Sequence, residues 1–353
     1  MKKVFTLLLF TTLSIFFAFS QDFAEPIQGE GIHAFLRRNN RSESGYYQKF
    51  LELNRDKLGE DQSLKLGISY QLPPLVKVDS IVKPDSKTNT TQQTTLGTGT
   101  EPLFGEKSAK YEIMSDRLKG ACFFLVSGHG GPDPGAITKI GNIELHEDEY
   151  NYDVMLRLAR NLLQEGATVH IIIQDSKDGI RDDKYLSNNK TTDPKDNQET
   201  CMGEKIHQGY DKKDVIKRLN QQCNKINALS KKSNAKYQRA VFIHWDSRPK
   251  SQSVDIFFNY SENNAKGKQL ANTLEKTVRE HYKKSQPNRP YKGLVVHPNY
   301  HVLRNTTPIS VLIELGNMQH EGKDRQRYLD SDNRQAIANW LCNGLIKDYN
   351  DNK

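Results

Sequence analysis

Cysteine is scarce in this sequence: Cys122, Cys201, Cys223 and Cys342 are the only four, and no CxxC spacing occurs. Thiolate-ligated zinc sites need paired cysteines at short spacing, so that class is excluded. Cys201 and Cys223 are near enough for a bridge to staple one segment, while Cys122 in an apolar strand and Cys342 in an apolar helix read as buried thiols. Long apolar runs are scarcer still. Val4–Phe19 alone approaches membrane length, which excludes a polytopic membrane protein. Glycine, at 23 of 353 residues, falls far short of a collagen. With 35% apolar and 27% charged residues, the chain is neither a pure coiled coil nor fully disordered.

What the sequence does hold begins with that single run. Lys2 and Lys3 precede it, and Ala18-Phe19-Ser20 follows with small residues at the cleavage positions. Residues 1–20 are therefore expected to be a secretory signal peptide, giving an exported protein of the periplasm or cell envelope, with no stable membrane insertion after cleavage. Charge is uneven. The net is +8, yet residues 21–73 and 74–117 are close to neutral, and 176–239 carries 15 basic against 9 acidic residues. Such a patch can bind nucleic acid. In an exported chain it is expected to be a solvated helix face or to meet an anionic envelope polymer, and no nucleic-acid partner is expected.

Three parts follow the leader. Residues 21–73 form a small module of Gly29-Glu30-Gly31 turn, helix and short strand, ending at Leu72-Pro73. This pattern resembles a LysM module, and the resemblance implies peptidoglycan binding. Residues 74–117, rich in Thr, Ser, Gln and Asn, read as a flexible linker. Residues 118–353 alternate strands with helices. Strands are expected at 121–126, 168–173, 240–244, 254–258 and 309–314, with helices at 150–164 and 211–232. Two more helical stripes run Leu270, Leu274, Val278, Tyr282 and Ile337, Trp340, Leu341, Leu345. The expected fold class is α/β: a three-layer αβα domain with a mostly parallel or mixed sheet, preceded by the small α+β module. Segment 176–210 reads as a long polar loop within a basic insertion, 176–239.

Polar residues stand where three of these strands turn into loops: Ser127-Gly128-His129-Gly130-Gly131, Ile243-His244-Trp245-Asp246 and Leu312-Ile313-Glu314-Leu315. Strand carboxyl ends are where open α/β sheets place ligands. Two imidazoles with carboxylates suit zinc, whose catalytic sites keep one position open. Either Glu144, Glu147 or Glu149 can join the histidines, and Arg304 can hold a substrate carboxylate or pair with an internal acid.

In order and spacing, Gly128-His129-Gly130-Gly131, Asp133-Pro134-Gly135-Ala136, Glu147 before Asn151, Ile243-His244, Val302-Leu303-Arg304, Pro308 and Val311-Leu312-Ile313-Glu314-Leu315-Gly316 resemble the zinc-dependent N-acetylmuramoyl-L-alanine amidases. The resemblance covers about 230 residues, 120–350. It implies Zn2+ held by His129, Glu147 and His244, Glu314 as catalytic carboxylate, and peptidoglycan as substrate. It also implies that a segment at the place of 176–239 can cover the metal until a protein activator moves it. Other readings are a non-catalytic peptidoglycan-binding protein and a zinc peptidase cutting within the stem peptide. The chain departs from the family pattern at Val126-Ser127, Trp245-Asp246 and Asn317.

Overall fold

The computed structural model divides the chain into two units, Met1–Ser86 and Lys87–Lys353. It describes residues 22–26, 32–39, 41, 44–59, 64–75, 96–188, 199–209, 211–286 and 289–353. The expected signal peptide, the Gly29-Glu30-Gly31 turn, residues 76–95 of the expected linker and residues 189–198 of the polar loop lie outside the described residues. Among those described, no helix is long and apolar enough to cross a membrane.

The first unit runs strand, helix, helix, strand: β1 (Phe23–Ala24), α1 (Ile32–Arg38), α2 (Ser44–Leu53) and β2 (Tyr70–Gln71). The sequence pattern lacks an opening strand, but Phe23–Ala24 supplies one, antiparallel to β2. The rings of Phe35, Phe50 and Tyr70 pack with centroids 5.5–6.0 Å apart. Asn54 pins the second strand from the end of α2, accepting from Gln71 N at 2.8 Å and donating to Gln71 O at 2.8 Å. A unit this small depends on such side-chain clamps because its core is limited.

The second unit opens with a hairpin, β3 (Gly97–Thr100) and β4 (Lys110–Ile113), so ordered structure begins before residue 118. Then come β5 (Ala121–Ser127), the hairpin β6 (Ile137–Ile140) and β7 (Ile143–His146), and α3 (Glu147–Gln164). After β8 (Thr168–Ile171), β9 (Ile173–Gln174) pairs with the hairpin β10 (Thr200–Cys201) and β11 (Glu204–Lys205). The chain continues through α4 (Lys212–Lys232), β12 (Tyr237–Asp246), β13 (Phe257–Asn259), α5 (Ala265–Ser285) and β14 (Val295–Val296). It closes with α6 (His301–Asn305), β15 (Ile309–Asn317), α7 (Lys323–Leu329) and α8 (Ser331–Asn352).

Six strands form the main sheet in the order β14-β13-β15-β12-β5-β8, all parallel except the β13–β15 pair. Strand β5 is buried along its whole length, as a continuous apolar run covered on both faces should be. Alternation divides its side chains. Phe123 and Leu125 join the core beneath α3, α5 and α8, while Cys122, Phe124 and Val126 join the core that α4 and α6 cover. Helix boundaries follow capping chemistry. Asp211, Asn264 and Asp330 each accept a backbone N–H at the start of α4, α5 and α8. Gly166 takes φ +82 to end α3.

Several expectations shift. Helix α3 begins at Glu147 rather than 150, its first turn carrying Glu147, Asp148 and Glu149, where negative charge suits the helix dipole. The strand expected at 254–258 is reduced to Phe257–Asn259. Val254 N donates to Asp324, and the Asp255 carboxylate takes Arg289 and the Lys292 N–H, which hold 254–256 off the ladder. The strand expected at 168–173 splits at Ile172, whose tail leaves for the β9–β11 sheet. No bridge staples Cys201 to Cys223; all four cysteines are free and buried.

Candidate metal centre

The main-sheet register builds the site. Val126, Phe242 and Leu312 lie in one row across β5, β12 and β15, with their side chains in the core under α4. Two residues further along, alternation brings Gly128, His244 and Glu314 to the same face at the strand ends. His244 and Glu314 are direct partners in the parallel ladder. Gly128 leaves the space its neighbour uses: a Cβ there would lie 2.3 Å from the His244 ring.

His129 follows in a turn with φ +66, a left-handed conformation that costs a non-glycine residue about 1 kcal/mol or more and is kept where neighbouring structure enforces it. That turn aims its Nε2 at Glu147 Oε2, 3.1 Å away. Its Nδ1 lies 3.2 Å from Asp133 Oδ2. His244 Nδ1 lies 3.2 Å from the other oxygen, Glu147 Oε1. The two rings stand edge to face with centroids 5.0 Å apart. Gly135, at φ +67, has no room for a side chain either, since a Cβ would meet Glu147 Oε2 and His129 Cδ2 at 2.6 Å.

Glu147 is buried at the first residue of α3. Its Oε2 accepts from Ala136 N at 2.9 Å, and its Oε1 from Trp245 N and Asn151 Nδ2, each at 3.1 Å. Burial opposes its charge, but His129 and His244 outweigh burial and hold the carboxyl well below the usual carboxylate range. Burial likewise works against a charged His129; Glu147 and Asp133 prevail and hold the imidazole up at about 10. Asp133 itself is lowered, burial being outweighed by His129 and by the Gly135 N–H, with Arg218 adding to the effect.

Glu314 is the opposite case. It is 8% exposed, and its Oε2 is enclosed with no hydrogen-bond partner among the described residues. Burial first, then the negative charges of Glu147 and Asp246, push its pKa up to about 8.

Of the residues singled out from the sequence, the fold thus brings His129, Glu147 and His244 together, with one potential ligand atom from each and all such atoms within 4.8 Å of one another. This donor set, the glycine cradle and the unpartnered Glu314 oxygen fit a zinc ion. The neighbouring acids are engaged elsewhere: Glu144 with Lys139 and His146, Glu149 with Arg181 at 3.0 Å. Arg304 is not in the group. It is exposed on α6 and donates to Asn299. His146 and His320 bond locally, to Glu144 and Gly322, and His301 bonds to Asn220 of α4.

Sequence reasoning undervalued Asp133, which shapes its turn by accepting from Gly135 N and also orients His129. The spacing of four between His129 and Asp133 was the available signal. Asn151, one turn after Glu147 on α3, ties that carboxylate to Gly128 O. Residues of the basic insertion reach this turn too. Glu199 accepts from Gly131 N, and Ile206 occupies the space a Gly131 side chain would need.

A family model described as N-acetylmuramoyl-L-alanine amidase matches residues 124–347. Among solved structures, the chain is similar to an N-acetylmuramoyl-L-alanine amidase from Clostridium difficile 630, with 21% identity, TM-score 0.46, and coverage of 66% of this chain and 98% of that one. It is similar to the CwlD amidase from Clostridioides difficile in complex with the GerS lipoprotein, with 20% identity, TM-score 0.47, and coverage of 66% and 100%. A third is the catalytic domain of CwlV from Bacillus (Paenibacillus) polymyxa var. colistinus, with 20% identity, TM-score 0.44, and coverage of 66% and 99%. Among curated proteins, lipoyl synthases from Cupriavidus metallidurans and Cupriavidus necator are 32% identical over 71 residues, 20% of this chain. The chain spans 22% of the length of these curated relatives.

Proposed function

Because the chain belongs to the N-acetylmuramoyl-L-alanine amidase family, whose model matches residues 124–347, we propose that it is an exported zinc hydrolase of peptidoglycan, cutting the amide between N-acetylmuramic acid and L-alanine. The observation that carries this reading is the grouping of His129, Glu147 and His244 beside a buried, unpartnered Glu314.

In this reading His129, Glu147 and His244 hold the metal. Zinc there supplies Lewis acidity toward water and the amide carbonyl. Asp133 accepts from His129 Nδ1, which fixes the tautomer and leaves Nε2 free to bind. The N–H groups of Ala136 and Trp245 and the Asn151 amide hold Glu147 in place. Glu314 moves the proton: it takes one from the attacking water and gives it to the departing alanine nitrogen. Taking the first proton requires the ionised carboxylate; burial and the charge of Glu147 oppose that form, and a cation held by His129, Glu147 and His244 would favour it.

The strand–helix–helix–strand unit of residues 23–71 is proposed as a LysM-like peptidoglycan anchor. The insertion at 176–239 is proposed to respond to a protein activator. Its contact with Gly131 supports this, as does a structural neighbour's complex with a lipoprotein.

The test is digestion of purified peptidoglycan by the mature protein, with and without zinc, and product identification by mass. Free stem peptides with N-terminal L-alanine are expected, with loss of roughly a thousandfold or more in rate in Glu314→Gln. Shortened stems still joined to glycan would overturn the choice of bond. Intact wall would favour a binding protein.

A further inference from the structure

One strand over from Glu314, at its ladder partner Phe257, lies a concavity of about 620 Å³. Its wall includes Arg248, Phe257, Arg289, Lys292, Leu294 and Lys323. We propose that this cavity is a subsite for a free carboxylate on the peptide half of the substrate, an inference that rests on the hydrolase reading above.

Continuity with the reacting centre comes from register. Phe257 is the antiparallel ladder partner of Glu314. Arg248 stands two residues past the end of β12, and its guanidinium lies over the Phe257 ring at 5.4 Å. A chain placed with its amide at Glu314 and extended across β13 therefore enters the cavity.

The charge of the wall selects an anion. Asp255, a carboxylate in the wall, is already bound by Arg289 at 2.6 Å, by the Lys292 N–H at 2.7 Å and by Arg327 at 3.4 Å. Arg248 pairs with Asp246. Lys292 and Lys323 are exposed and make no ion pair among the described residues. These two ammonium groups are left for a ligand. The apolar part of the wall, with Leu294 60% exposed beside Phe257, suits short aliphatic side chains.

Substrate chemistry then decides which half of the molecule enters. N-acetylated sugars are neutral, and the lactyl carboxyl of muramic acid is consumed in the amide bond. The carboxylates that remain belong to the stem peptide. Lysines in a wall that also holds apolar side chains discriminate such a peptide from its carboxamide, because amidation removes the charge and leaves the size nearly unchanged.

Two measurements test this. First, kcat/KM is compared on N-acetylmuramoyl tripeptides with free carboxylates and with carboxamides, for the wild type and for Lys292→Ala combined with Lys323→Ala. The wild type is expected to favour the acid about tenfold, and the double variant to bring that ratio near one. Equal rates on both substrates in the wild type, or the same ratio in the double variant, would overturn the subsite. Second, calorimetry measures binding of the free acid and carboxamide tripeptides to the full chain. Acid-selective, lysine-dependent binding without turnover would overturn the hydrolase and support the cavity. Equal binding of acid and carboxamide would overturn the cavity whatever the turnover.

Discussion

Of the buried carboxylates on helix α3, Glu147 and Asp153 stand six residues apart in surroundings that differ in kind. Asp153 accepts from Arg157 Nε at 2.8 Å, Arg334 Nε at 2.6 Å and Arg181 N at 2.8 Å. Arg334 is fully enclosed, and each of its five N–H groups has a partner: Asp153 and the carbonyls of Tyr328, Leu329, Arg181 and Asp183. Burial opposes the Asp153 charge, but Arg157 and Arg334 outweigh it and hold the carboxyl down. Glu147 faces two imidazoles instead. A guanidinium is a permanent cation, whereas an imidazole can give up its proton to make way for a metal. The first cluster is complete and closed. The second is balanced by groups that can be exchanged, and beside it stands Glu314 with an oxygen that no described residue satisfies. Burial alone does not separate structural from functional charge; the permanence of the partner does.

Asp153→Asn should break the comparison hardest. It leaves the enclosed Arg334 guanidinium with carbonyl partners alone and Arg157 with Asp182 as its remaining carboxylate, which should cost about 3–5 kcal/mol. In thermal unfolding this should appear as a drop of roughly 10 °C in Tm, equal with zinc and with chelator. A drop under about 3 °C would mean that the network is as exchangeable as the metal centre.

Asp133→Asn should act on the other cluster with a smaller effect. It keeps the turn's size but weakens the anchor on His129 Nδ1, so zinc affinity should fall by about 10–100-fold in a chelator competition titration. Unchanged affinity would show that Asp133 shapes the turn and nothing more.

The same contrast explains what the sequence made legible. The buried runs at 121–127 and 309–317 announced their strands because both faces are covered. His129, His244 and Glu314 were visible because each is a polar residue at the close of an apolar run, although β12 and β15 continue past His244 and Glu314. Asp255 was not legible as a strand breaker, since its bonds to Arg289 and Lys292 come from more than thirty residues away. Helices α6 and α7, at five and seven residues, are too short to show a period. The clamps on Glu147 from Ala136 and Trp245 are backbone N–H groups, which no side-chain pattern encodes. Arg304 fitted the motif, yet in the fold its guanidinium donates to Asn299.

Glu314→Gln gives the finest test, because it asks whether the incompleteness of the centre has a measurable cost. In the folded metal-free protein the carboxyl titrates at about 8, and in the unfolded chain at about 4.3. Between those values the fold retains a proton that the unfolded chain has released, so stability falls as pH rises. Glutamine has the same shape and cannot ionise. The variant should therefore match the wild type near pH 4 and become the more stable protein as pH climbs to about 8. His129 and His244 are part-exposed, so water reaches the centre and shares the load, which sets the gain at about 1–2 kcal/mol, or roughly 2–6 °C in Tm. The gain should shrink once zinc is added, since a cation beside Glu314 favours the ionised carboxylate that only the wild type can form. A variant no more stable than the wild type at pH 8 without metal would mean that Glu314 finds its partner within the fold, and the two clusters of α3 would then be of one kind.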